Sequence, residues 1–243
     1  MSVEIGRSGG AATIRLADVA TRNALDPDMV AAVRQALADA RRDPNVAAVI
    51  LSSSVMNIFS TGMNLNLMTG DDLSVINRGE EHLSAYVELL VELADMPVPS
   101  LALVDGLAVG GGVDLAGSCD MLIATPRARF SIGQLAKGVF PLTTSAVLIP
   151  QIGAGTFLRW SLSGVIHDGR KLASMGLAIQ CCATEDLGSV ADKIVRRIVG
   201  FHRDILQDGI KVVRATERDG RVARLRSAGA QLVVNCGKIR ERR

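Results

Sequence analysis

The sequence predicts an α/β fold, and three observations carry that prediction. Short apolar runs alternate with longer stretches in which apolar residues recur at helical spacing. One of the runs, VAAVIL at residues 46–51, is continuously apolar, as expected of a strand covered on both faces in a parallel sheet. Residues 101–124, LALVDGLAVGGGVDLAGSCDMLIA, pass from an apolar strand through a triple glycine into a helix and then a second apolar strand.

In chain order, residues 3–7 and 12–16 alternate like two strands, with Ser8-Gly9-Gly10 as the turn of a hairpin. Asp26 is placed to cap a helix whose first position is Pro27 and whose apolar stripe is Val30, Val33 and Leu37. That helix should stop before Asp43-Pro44. Residues 52–70, rich in Ser, Asn and Gly, read as loop and short helix, and residues 73–94 as a longer helix ended by Met96-Pro97-Val98-Pro99. Residues 121–124 and 129–132 read as strands, helices recur as far as Leu177, and residues 190–198 and 205–213 are helical by pattern. Arginines crowd residues 214–226, where they fit either a solvated helix face or contacts to the phosphates of a nucleotide cofactor. The closing GKIRERR reads as disordered.

Composition narrows the function. The chain has 243 residues, 48% of them hydrophobic but only 3% aromatic, so its core is built from Ala, Val, Leu and Ile and no stacking surface for nucleic acid is expected. Cys119, Cys181, Cys182 and Cys236 lack metal-ligand spacing and read as reduced, buried thiols. The opening MSVEIGRSGG has no apolar core of a signal peptide, and no apolar segment reaches the ~18 residues of a membrane span, so a soluble cytoplasmic protein is expected.

The triple glycine is where chemistry concentrates. Gly110 to Gly112 let the backbone approach a ligand closely, and the helix that follows presents free amides at its positive end. Such a turn serves as a plain structural corner, as a phosphate cradle, or as donors to a developing oxyanion. It lacks the Gly-x-Gly-x-x-Gly order of a dinucleotide fold, and no Lys-Ser or Lys-Thr follows it. Asp114 stands just past it, on the first turn of the helix.

Residues 106–134, GLAVGGGVDLAGSCDMLIATPRARFSIGQ, resemble the signature stretch of the enoyl-CoA hydratase/isomerase family, the crotonase superfamily. ATRNALDPDM at 20–29 and IFSTGMNLNLM at 58–68 resemble two further segments of that family, in the right order. The resemblance implies a crotonase-like spiral of strand-strand-helix turns over residues 1–195. A helical C-terminal region over 196–243, with a basic tail, would pack trimers or hexamers. It implies an acyl-CoA enzyme of the hydratase/isomerase type, with a coenzyme A thioester as substrate, no permanently bound cofactor and no metal. The amides of Met63 and Gly111 would then form an oxyanion hole for the thioester carbonyl. Arg22, Ala24, Leu25, Thr61 and Leu65 match positions that hold the coenzyme, with Arg22 a phosphate partner.

The departures from the family matter as much. Hydratases of the family handle water with two glutamates, and the matching positions here hold Asp114, one methylene shorter, and Gln134, which exchanges no proton at neutral pH. Residues 138–153 look more like the version in cyclohexadienecarbonyl-CoA hydratases. Leu142 stands where several isomerases and dehalogenases of the family place an acid. A catalytically impaired acyl-CoA-binding subunit, or a decarboxylase or thioesterase using the same oxyanion hole, are the rival readings. His82, beside Glu81 and one turn before Tyr86, lies on the helix that the resemblance places at the acyl pocket and could move a proton there. On a charged helix face, however, it is expected to face solvent, and His167 and His202 have no partner by spacing.

Overall fold

The computed structural model describes residues 2–63 and 73–240, and of residues 73–77, 137, 217–219 and 235–240 the backbone alone. Strands β1 (Val3–Ser8) and β2 (Ala11–Leu16) form the expected antiparallel hairpin. Helix α1 (Pro27–Arg42) begins and ends where its local chemistry dictates. Asp26 accepts a hydrogen bond from the Met29 amide at 2.8 Å, and Asp43 leaves the helical conformation ahead of Pro44.

From there each turn of the chain adds one strand to each of two sheets. β3 (Ala48–Ser53) enters the first sheet and β4 (Ile58–Ser60) the second, and α2 (Leu73–Ala94) returns the chain to β5 (Ser100–Val104) and β6 (Leu107–Val109). The short α3 (Gly111–Gly117) leads to β7 (Met121–Ala124) and β8 (Arg129–Ser131). After α4 (Leu142–Ile152) and α5 (Ala154–Ser163), β9 (His167–Asp168), α6 (Gly169–Ser174) and β10 (Gln180–Cys181) close the spiral. The sheet orders are β1-β2-β3-β5-β7-β10 and β4-β6-β8-β9, with the strands from β2 onward paired in parallel except β9, which runs antiparallel to β8.

The continuous apolar run is explained by what covers it. Val49 and Leu51 of β3 face the main core with α1, α2 and α3, whereas Ala48 and Ile50 face a second core formed with Ala191, Val195 and Ile198 of α7 (Leu187–Val199). A strand buried on both faces cannot alternate with polar residues. Each fully buried Val, Leu or Ile here contributes roughly 1.5–3 kcal/mol.

Three expectations are corrected. Strand β4 lies inside the segment read as loop and short helix, and residues 64–70 of that segment fall outside the described residues. α8 (Arg203–Arg240) is one helix of 38 residues, so residues 237–240, read as disordered, continue it. The arginines of α8 form a solvated face only in part, since Arg224 and Arg226 are exposed and Arg214 is not. Packed against α2 and α4, the helix uses Arg214, 12% exposed, to clasp Asp120 at 2.8 and 2.9 Å, and Arg226 to bind Glu88 of α2 at 3.0 Å. Among the described residues no helix is long and apolar enough to cross a membrane, and no three His, Cys, Asp or Glu are grouped to hold a metal ion.

Candidate active site

The site is built from loops that the spiral brings side by side. Arg22 and Asn23 both adopt left-handed backbone, with φ of 58° and 54°. Asn tolerates this conformation better than most residues. The Asn23 side chain, fully buried, accepts from the Asp18 amide at 2.8 Å and donates to the Phe59 carbonyl and the Ser53 hydroxyl, each at 2.9 Å. Its own carbonyl accepts from Ser60 Oγ at 2.7 Å, and Ser60 Oγ accepts from the Gly62 amide at 3.1 Å. Thus Asn23, which sequence reasoning missed, ties residues 18–25 to residues 59–62. The Leu25 amide donates to the Gly62 carbonyl at 2.9 Å, and the Thr61 amide to the Arg22 carbonyl at 3.3 Å. Arg22 is exposed, Ala24 and Thr61 are half-buried, Leu25 is buried with its side chain against Gly111, and Leu65 lies outside the described residues.

Two glycines bring the amides of interest together. Gly62 has φ +78°, and a Cβ there would stand 2.2 Å from the Val109 carbonyl oxygen and 2.9 Å from the Gly111 nitrogen. A Cβ on Gly111 would in turn stand 3.2 Å from the Met63 nitrogen and 3.0 Å from the Tyr86 hydroxyl. Only bare backbone allows this approach. The Gly110 carbonyl accepts from the Val113 and Asp114 amides, whereas Gly111 is the first residue of α3 and its amide has no acceptor within the helix. Met63 and Gly111 border a cavity of about 220 Å³, with Thr61, Tyr86, Gln134 and Thr143 as its polar wall and Val139, Phe140, Leu142 and Leu232 as its apolar one.

Asp114 does not itself line this cavity. It is wholly buried behind Tyr86 and Thr143, whose hydroxyls both donate to its Oδ2, at 2.7 and 2.6 Å. Its Oδ1 has no hydrogen-bond partner among the described residues. Burial pushes the Asp114 carboxyl up to about 6, against the opposing pull of the Thr143, Thr144 and Tyr86 hydroxyls. Burial and the neighbouring Asp114 hold the Tyr86 phenol well above its ordinary range.

Gln134 sits in the 3-10 turn Gly133–Lys137, donates from Nε2 to Thr144 Oγ1 at 3.3 Å, and has a buried Oε1 without partner among the described residues. Its amide packs on Gly110, where a Cβ would come within 2.8 Å of Nε2. His82 is corrected: far from facing solvent it is 4% exposed, with Nε2 2.9 Å from the Leu25 carbonyl. Burial lowers its basicity. Tyr86, noticed in the sequence only as a neighbour of His82, faces the cavity, and the Thr143 and Thr144 hydroxyls went unnoticed.

A two-sheet spiral of strand-strand-helix turns, closed by C-terminal helices, defines a crotonase-like fold. The enoyl-CoA hydratase of Bacillus halodurans superposes with a TM-score of 0.91 over 97% of this chain and 95% of its own, at 22% identity. An enoyl-CoA hydratase/isomerase of Xanthobacter autotrophicus Py2 does so with a TM-score of 0.86 over 97% and 87%, at 24% identity. The chain belongs to the enoyl-CoA hydratase/isomerase family, whose model matches residues 6–241. Among curated relatives, the mitochondrial enoyl-CoA hydratase domain-containing protein 3 of Danio rerio is 25% identical over 94% of this chain and 78% of its own length. The cyclohexa-1,5-dienecarbonyl-CoA hydratase of Thauera aromatica is 30% identical over 73% of this chain and 66% of its own.

Proposed function

We propose that the protein processes acyl-CoA thioesters as an enoyl-CoA hydratase or isomerase, with the Met63 and Gly111 amides binding the thioester oxygen. The approach of those two nitrogens, set by Gly62 and Gly111, is the observation that carries this reading. When charge moves from a reacting α carbon onto the thioester oxygen, fixed donors meet it without reorganising, and each such donor is worth ~3–4 kcal/mol of barrier. The coenzyme would lie along Arg22, Ala24, Leu25, Thr61 and Leu65, with the Arg22 guanidinium on a phosphate. The names of the relatives, hydratases of CoA esters, support the same substrate class. Asp114, poised near neutrality, is the store for the proton that leaves or enters the α carbon. The amide of Gln134, able to donate and accept, orients water or the thioester. The exposed apolar residues of α8, Ile205, Val212 and Val213, support packing between copies as a trimer or a dimer of trimers.

Gln134 favours a second reading, an acyl-CoA-binding subunit without turnover, or a decarboxylase or thioesterase that needs fewer acids. Crotonyl-CoA turnover and calorimetric binding, measured on the wild type and on Asp114→Asn, separate them. The hydratase reading expects water gained by mass in the wild type, and in the variant lost turnover with retained binding. Binding of crotonyl-CoA with no conversion in the wild type, release of free CoA from it, or loss of carbon dioxide from malonyl-CoA assayed beside it, would reject it in favour of its rivals.

A further inference from the structure

Resting on the acyl-CoA reading above, we propose that Tyr86 exchanges the proton with the substrate's α carbon, and that Asp114 acts only through the Tyr86 hydroxyl. The argument is geometric. Asp114 has no surface on the cavity, so no substrate atom can touch it. The groups standing between it and the cavity are the Tyr86 and Thr143 hydroxyls, both bonded to Oδ2. Of these, Tyr86 is the one beside the amide pair, its hydroxyl 3.0 Å from where a Gly111 Cβ would be. An oxygen held by Met63 and Gly111 puts the adjoining α carbon within that neighbourhood. A phenol, with an ordinary pKa near ~10, is also a far better proton donor than an aliphatic hydroxyl. Thr143 is left to fix the carboxylate, as a positioning residue.

The step balances without a further reagent. The Cα–H bond breaks, its proton goes to Tyr86 Oη, and the Tyr86 proton passes to Asp114 Oδ2. The electron pair becomes an enolate whose charge rests on the thioester oxygen. The products are a neutral phenol, a neutral carboxylic acid and the enolate; protonation of an enolate runs the same path backwards. Because burial and Asp114 raise the Tyr86 phenol, a free phenolate is not populated and the two transfers are coupled. The groups facing Asp114 are Tyr86 from α2 and Thr143 and Thr144 from α4, of which only Tyr86 titrates. Proton removal should therefore rise with pH through about 6, as Asp114 ionises.

Tyr86 is the only tyrosine in the chain, which makes the test selective. Deuterium entry from solvent at C2 of butyryl-CoA isolates proton exchange from water addition, and calorimetry with the same thioester reports binding. The wild type should exchange with a profile rising through about 6. Tyr86→Phe and Asp114→Asn should each bind butyryl-CoA within about threefold of the wild type yet lose ~10²–10⁴ in exchange. The double variant should fall no further, since the two groups act as one unit. Should Tyr86→Phe fail to fold, uniform 3-fluorotyrosine labels this residue alone. Its ¹⁹F signal should titrate with a midpoint of about 6, move when butyryl-CoA binds, and report an altered exchange rate. Wild-type exchange in Tyr86→Phe beside its loss in Asp114→Asn, or a ¹⁹F signal blind to both pH and ligand, overturns the relay and leaves the acyl-CoA reading standing. So does a wild type that binds butyryl-CoA without exchanging it. A wild type that binds no CoA thioester overturns both.

Discussion

The two halves of the candidate site are made of different material. On the side of Met63 and Gly111 the candidate groups are main-chain amides, held by Gly62, whose Cβ would collide with the Val109 carbonyl, and by Gly111, whose Cβ would crowd Tyr86, Leu25 and the Met63 nitrogen. On the side of Asp114, Tyr86, Thr143 and Gln134 they are side chains drawn from separate elements, joined by hydrogen bonds. The first half follows from the fold's own path and tolerates sequence change wherever glycine is kept. The second can be rewritten one residue at a time, because each of its groups is a single side chain held by its own hydrogen bonds.

The contrast can be broken most severely at Gly62. Gly62→Ala forces a Cβ to 2.2 Å from the Val109 carbonyl oxygen at positive φ. It should cost on the order of 4 kcal/mol or more and abolish turnover, read by urea denaturation and a crotonyl-CoA assay. On the side-chain half, Asp114→Asn should lower turnover by ~10³-fold and yet stabilise the protein. The Asp114 carboxyl is raised from 3.8 to about 6, so its favourable contribution is complete below 3.8 and is lost as pH rises through about 6. Removing the charge should therefore raise stability by roughly 3 kcal/mol at pH 8 and by nothing near pH 3, by thermal melts at both. Gln134→Ala removes a single polar group and should slow turnover ~10-fold with little change in binding. The smallest effect falls at exposed Arg22, where Arg22→Ala should weaken coenzyme binding about fivefold, less at high salt.

The same division governs what could be read from the sequence. Asp26-Pro27, the continuous run before Ser52 and the triple glycine each act on near neighbours in the chain, and each led to the element that the structure contains. Thr143 meets Asp114 from 29 positions away, and Arg214 meets Asp120 from 94; such pairs exist only once the spiral has formed. Asn23 could not be singled out from its neighbours, because its ties to Ser53 and Phe59 cross between spiral turns. His82 was legible and misread. It stands four residues before Tyr86 and eight before Leu90 on α2, within the buried stripe of that helix, and the adjacent Glu81 belongs to the opposite face.

The claim on which the account depends is that the Met63 and Gly111 amides grip the thioester oxygen. Isotope-edited infrared difference spectroscopy of butyryl-CoA carrying a ¹³C-labelled thioester carbonyl tests it most directly. The account predicts a carbonyl band at lower frequency when bound than in water, and the same lowered band in Asp114→Asn. A bound carbonyl at its aqueous frequency, or a shift that vanishes in Asp114→Asn, would contradict it.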